Sequence, residues 1–148
     1  MRRYTFLMDR WHNLKSHFEQ DGSLRDIIVT SNDKITWSLF FTALKSAEYS
    51  HVFTHGGVVR ALPDSIDSIW NLQSSEPTLL SVQVGDMLIN CHFFKSYEIE
   101  FDLDPKDIKS KSDFSLLLNF LSWLNKSIKS SVLVTHENSR DEVILSIE

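Results

Sequence analysis

Residues 78–104 read TLLSVQVGDMLINCHFFKSYEIEFDLD, and the alternation within them decides the fold. Side chains on a strand switch faces with a period of two, so a trial register can be judged by whether apolar residues meet apolar ones. Joining the first two runs by a turn at Gly85-Asp86 sets Val84 opposite Met87, Val82 opposite Ile89 and Leu80 opposite Cys91. The reverse face then pairs Ser81 with Asn90 and Leu79 with His92. For the second and third runs, a two-residue turn at Lys95-Ser96 mixes faces by setting Phe93 against Glu98. A three-residue turn, Lys95-Ser96-Tyr97, repairs this: Phe93 meets Ile99, Cys91 meets Phe101 and Ile89 meets Leu103. The other face pairs Phe94 with Glu98, His92 with Glu100 and Asn90 with Asp102.

Three antiparallel strands with one oily face and one acidic face follow. Glu98, Glu100, Asp102 and Asp104 line up on the wet side, about 7 Å apart along the strand. His92 lies across from Glu100, within reach of a charge-assisted hydrogen bond. Aligned carboxylates repel one another, and a cation or a facing cluster of Lys and Arg relieves that repulsion. The candidate partner-binding residues are therefore Glu98, Glu100, Asp102, Asp104, His92 and Asn90. A half-exposed antiparallel strand also needs polar residues on its wet face with no further role.

Outward from this centre, helices and hairpins alternate. Leu7, Trp11, Leu14 and Phe18 share one helical face, with Asp21-Gly22 as a stop; a short strand at Tyr4–Met8 is the alternative. RDIIVT at 25–30 is a β-branched strand. Ser31, Asn32 and Asp33 offer caps for a helix from Lys34 to Ala47, whose apolar surface is wide enough to be covered on more than one side. HVFTH-GG-VVRAL, residues 51–62, is a hairpin about Gly56-Gly57. Pro63 opens a short helix with Ile66, Ile69 and Trp70 inward, and Ser74–Pro77 is a linker. A long helix runs from Asp113 to Lys129, capped by Ser112 or Asp113, with Phe114, Leu117, Leu121, Leu124 and Ile128 on one side. Ser131–Thr135 and Val143–Ile147 are closing strands, joined by a turn through Asn138-Ser139-Arg140. The order αβαββαβββαββ predicts a single α+β domain over residues 1–148, mainly antiparallel, with about four helices on one face of the sheet.

Composition agrees. The chain has 148 residues, 42% of them hydrophobic and 24% charged, enough to bury one core. Four Gly and three Pro argue for short connections. The apolar run Phe6-Leu7-Met8 after Arg2-Arg3 is too short for a signal core, and no stretch reaches membrane-spanning length. One cysteine, Cys91, excludes an intramolecular disulfide and points to a reducing compartment. The expectation is a soluble cytoplasmic protein. A net charge of −5 repels nucleic acid and anionic lipid and favours basic partners.

Catalytic signatures are scarce. Cys91 falls on the oily face as an inert thiol. No serine lies in a nucleophile elbow, and the scattered glycines form no phosphate loop or dinucleotide fingerprint. No cofactor is expected. His92, Glu100 and Asp102 have ligand types for a divalent ion, but carboxylates two apart on a flat strand do not converge unless a bulge gathers them. His51 and His55 are about 13 Å apart on a strand and cannot share an ion. His136-Glu137-Asn138 is a polar cluster after a strand, explained equally by an exposed turn. Lys106, Lys109 and Lys111 are interspersed with acids, as in a solvated loop. Trp11, Trp37, Trp70 and Trp123 all fall on helices at apolar positions and read as core.

The run CHFF at 91–94, followed by EIEFDLDP at 98–105, resembles small bacterial proteins of toxin–immunity loci. That resemblance covers the central third of the chain and implies an acidic cytoplasmic α+β inhibitor. Such an inhibitor neutralises a toxin, often a basic nuclease, by occupying its surface. It implies no active site. The alternatives are a metal-assisted hydrolase using His92, Glu100 and Asp102, with His136, or a structural or regulatory module holding a small ligand between helix and sheet.

Overall fold

The computed structural model describes residues 10–30, 33–95 and 97–148. In chain order the strands are β1 (Arg25–Thr30), β2 (His51–His55), β3 (Val58–Arg60) and β4 (Thr78–Val84). β5 (Met87–Lys95), β6 (Glu98–Leu103), β7 (Val132–His136) and β8 (Ser139–Ile147) follow. The helices are α1 (residues 10–14), α2 (Lys34–Ser46), α3 (Ile66–Gln73) and α4 (Lys111–Ile128). α1 runs into a 3-10 turn, Lys15–Phe18. Leu7 and the alternative strand at Tyr4–Met8 lie outside the described residues.

The fold is α+β. All eight strands join one antiparallel sheet in the order β3-β2-β4-β5-β6-β1-β7-β8. The helices cover one face. Phe101 of β6 meets Phe40 of α2 at 5.4 Å and Phe120 of α4 at 6.1 Å, and Phe93 of β5 meets Trp37 of α2 at 5.4 Å. The strand residues of that layer share one parity. Leu80, Val82 and Val84 face Cys91, Ile89 and Met87 in the register that the apolar alternation predicts. All six are buried.

The ends of several elements differ from expectation, each for a local reason. Asp33 caps α2, its carboxylate accepting from the N–H groups of Ile35 and Thr36 at 3.1 and 3.3 Å. α2 is covered on one side only: Trp37, Phe40, Phe41 and Leu44 are buried, whereas Ile35 and Leu39 are exposed. α3 starts two residues after Asp64, capped by Ser65 rather than opened by Pro63, and Trp70 is half-buried. α4 begins at Lys111 with Ser110 as its cap, ahead of the expected Ser112 or Asp113; Ser110 Oγ accepts from Asp113 N at 3.2 Å. The hydroxyl three residues before an available N–H satisfies the first turn, and Ser112 is already inside it.

The β5–β6 connection is a correction with consequences. Asn90–Asp102, Cys91–Phe101 and His92–Glu100 pair as expected, but Lys95, not Phe94, is opposite Glu98. One extra residue is therefore accommodated in a bulge on β5 between His92 and Lys95 instead of in the turn. A bulge frees carbonyls from the ladder, and these find partners among the helices. Trp70 Nε1 and Gln73 Nε2 donate to Phe93 O at 3.2 and 3.3 Å, and Trp37 Nε1 donates to Lys95 O at 3.2 Å. The two indoles thus staple the bulge from below, and Phe93 turns into the core while Phe94 turns out.

Candidate functional site

The face opposite the helices carries the alternate residues of each strand. Across β5, β6 and β1 it presents Asn90, His92 and Phe94, then Glu98, Glu100 and Asp102, then Asp26, Ile28 and Thr30. Glu98, Glu100 and Asp102 share this face as the parity predicts. Asp104 does not extend the line: it follows the end of β6 and caps the 3-10 turn Pro105–Asp107, accepting from Lys106 N at 3.0 Å. Its place in the acidic group is taken by Asp26 of β1, directly opposite Asp102.

His92 does not bond Glu100. Its Nε2 lies 2.6 Å from Asp102 Oδ2 on the diagonal, and its ring stacks on Phe94 at 5.1 Å with 6° between planes. Asn90 is held by β4, its Oδ1 accepting from Ser81 Oγ at 2.8 Å.

Arg140 is the residue that the sequence reading placed in a turn and that the structure brings to the centre. The β7–β8 turn is the pair Glu137-Asn138, with Asn138 in the left-handed region at φ 56°, and β8 already begins at Ser139. Arg140, Asp141 and Glu142 then stand between the pairs His136–Ser139 and Thr135–Val143 with no register partner on β7. This bulge bends the hairpin over the open face. Both guanidinium Nη atoms of Arg140 donate to the Glu98 carboxylate, and Nη2 lies 3.7 Å from Glu100 Oε1. Asn138 N donates to Asp26 Oδ2 at 2.9 Å, and Leu24 N donates to Glu137 Oε1 at 3.0 Å. His136 Nε2 faces His17 Nδ1 at 3.1 Å. The His136-Glu137-Asn138 cluster therefore spends its polar groups pinning the hairpin to β1 and to the N-terminal segment. A cleft of about 520 Å³ is left between Phe94, Glu98, Glu100, Asp26 and Arg140.

The electrostatics of the cluster run in one direction. Burial, followed by the neighbouring Asp26 and Glu98, raises the Glu100 carboxyl above its ordinary range. Burial raises Asp26 likewise, with Asp102 and Glu137 adding to it. The hydrogen bond to Asp102 holds the His92 imidazole above its usual value, and the bond to Glu98 does the same for Arg140. For both carboxyls burial is the leading cause and neighbouring carboxylates add to it.

Other expected features fall as follows. Cys91 is buried, and burial pushes its thiol well up. Among the described residues no group of three His, Cys, Asp or Glu side chains gathers closely enough to hold a metal ion. His51 and His55 are on β2; His55 Nε2 bonds Leu72 O at 2.8 Å and so ties β2 to α3. No helix among the described residues is long and apolar enough to cross a membrane. A scan against protein-family models and searches of curated proteins and of solved structures find no match to this chain.

Proposed function

We propose that the chain is a non-enzymatic protein-binding module of the immunity or inhibitor type, acting in the cytoplasm to neutralise a basic bacterial toxin. The open face of the sheet is the docking surface, and Glu98, Glu100 and Asp102 meet lysines and arginines of the partner, with the buried Asp26 adding its charge from beneath. One observation carries the reading: helices cover one side of the sheet, and the bare side sets the half-buried Glu98, Glu100 and Asp102 beside the exposed Phe94. Charge complementarity of this kind raises the rate of encounter and fixes register more than it adds affinity.

The internal pairing refines the proposal. Arg140 and His92 already occupy part of the acidic group, so an incoming cation shares Glu98 and Glu100 with Arg140 or displaces it. The test is affinity capture from the source cells, followed by calorimetry and stopped-flow mixing with the recovered protein at several salt concentrations. A basic protein that binds one-to-one, with an association rate falling steeply as salt rises, supports the reading. Partners that are uniformly acidic or neutral, or an association rate indifferent to salt, would contradict it.

A further inference from the structure

We propose that the apolar half of the open face, formed by Val59, Val52, Leu79 and Phe94, completes the docking surface, and that it receives an amphipathic partner segment whose apolar residues lead into a lysine or arginine. This rests on the reading of the acidic half as the seat of a basic partner.

Register places Val59 and Leu79 in one row, with Val52 in the adjoining row of Ser81 and Asn90 and Phe94 two residues beyond His92 on the other side. Val59 of β3 is opposite Thr54 of β2, and Thr54 is opposite Leu79 of β4. The Leu80–Cys91 pair sets Leu79 beside His92, which is opposite Glu100, which in turn is opposite Ile28. The row crosses the sheet from aliphatic to acidic and back to aliphatic. Its two aliphatic ends are treated differently. Ile28 is only 2% exposed, because the bent β7–β8 hairpin lies over that side. Val59 is 69% exposed and Phe94 65%, with Val52 at 47%. The fold thus covers one end of a single row and leaves the other bare. Exposed apolar side chains grouped beside polar ones are the ordinary mark of an interaction surface.

Charge selects the occupant. His92 alone separates Leu79 from Glu100 in this row, so a segment lying on Val59 and Leu79 and continuing across β5 arrives at the carboxylates of β6. From β3 to β6 is about 19 Å at ordinary strand spacing, the length of about thirteen helical residues. A second copy of this chain is disfavoured as occupant, because it would bring the same carboxylates and a further net charge of −5. Phe94, held outward by the stapled bulge and stacked on His92, is the rigid aromatic anchor such a segment packs against.

The test uses fluorescent sixteen-residue helical peptides and anisotropy at physiological salt. One peptide carries a leucine face and lysines, one the same leucines with glutamates, and one the leucine–lysine composition in scrambled order. The proteins are the wild type, Phe94→Ser/Val59→Ser and Glu98→Gln/Glu100→Gln. The wild type is expected to bind the leucine–lysine helix at least about tenfold more tightly than the other two peptides, and Phe94→Ser/Val59→Ser to lose that preference. Unchanged binding by Phe94→Ser/Val59→Ser, with loss in Glu98→Gln/Glu100→Gln, overturns this inference and leaves the acidic seat standing. The opposite pattern removes the acidic seat and, with it, the requirement for a basic residue. Wild type that binds none of the peptides, or binds all three alike, overturns the inference. So does a wild-type dimer in light scattering that Phe94→Ser/Val59→Ser converts to monomer.

Discussion

Arg25 opens β1 at 1% exposure, on the side of the strand that faces the core. Its Nε donates to His17 O at 2.6 Å, and its Nη atoms reach the carbonyls of Glu19, Ser23 and Leu24, the Ser23 hydroxyl and the Asp21 carboxylate. One planar guanidinium thus organises the whole connection from the 3-10 turn into the sheet. Asp21 in turn is held far below the usual carboxylate range, chiefly by the Ser23 hydroxyl and N–H and then by Arg25. Arg25→Met should cost about 3 kcal/mol or more in urea unfolding, since four part-buried carbonyls and the Asp21 carboxylate lose one shared donor. Arg25→Lys should recover little, because an ammonium lacks the forked geometry. A cost below about 1 kcal/mol for Arg25→Met would mean that water replaces the donor at no penalty.

His92 gives a prediction whose sign follows from proton linkage. Its folded pKa is raised above the ordinary 6.5 by the bond to Asp102. The stability it contributes is therefore fully present below pH 6.5 and is lost as pH rises through the folded value. Glu100 and Asp26 are also raised, so they too favour the folded state on acidification, at lower pH. His92→Asn should destabilise by about 1 kcal/mol at pH 5.5 and by distinctly less at pH 9, read from paired thermal melts. An equal loss at both values would show that packing on Phe94 matters and the charge does not. His92 itself was legible from strand parity; its choice of Asp102 over Glu100 was not, because the diagonal reach depends on twist. Arg140 was illegible for a different reason. Nothing in Asn138-Ser139-Arg140 announces that three residues of β8 bulge out and swing a guanidinium over β1.

Among elements, the clearest success of pattern reading is β4–β5, where six apolar residues share one face and the Gly85-Asp86 turn fixes which of them are paired. β5–β6 was legible up to His92 and then failed by one residue. Parity can be restored equally well by a longer turn or by a bulge, and the choice lies with Trp37 and Trp70, which are distant in sequence. Both tryptophans read as core, and their indole N–H groups carry the missing information. Trp70→Phe should cost about 1 kcal/mol and raise amide exchange in β5 near Phe93, with Gln73 retaining part of the staple. At the head of α4 the cap assignment is separable by substitution. Ser110→Ala should lose about 1 kcal/mol, whereas Ser112→Ala should be close to neutral. A larger effect at Ser112 would return the helix start to the later position that composition alone suggests.

On the scale of the whole molecule, an eight-stranded sheet with helices on one side has a face that must be wet, covered or used. The chain covers part of it with the β7–β8 hairpin, makes part of it acidic and leaves part apolar. The α+β class and the one-sided layering were legible from the element order, since clustered hairpins pair antiparallel and their amphipathic helices share one core. The placement of β1 between β6 and β7 was not legible. It depends on long-range pairing, and it is this placement that adds Asp26 to the acidic group.

The claim that this bare face is the docking surface is most directly tested by position-matched charge reversal. Glu98→Lys/Glu100→Lys and the control Glu48→Lys/Asp86→Lys change net charge equally, and both control residues are exposed away from the acidic group. Stopped-flow association with the basic partner recovered from source cells, at low salt, should slow by about tenfold or more for the first variant and by less than about threefold for the control. Equal slowing would reduce the acidic group to its share of the net charge, and no slowing in either would place the interface elsewhere.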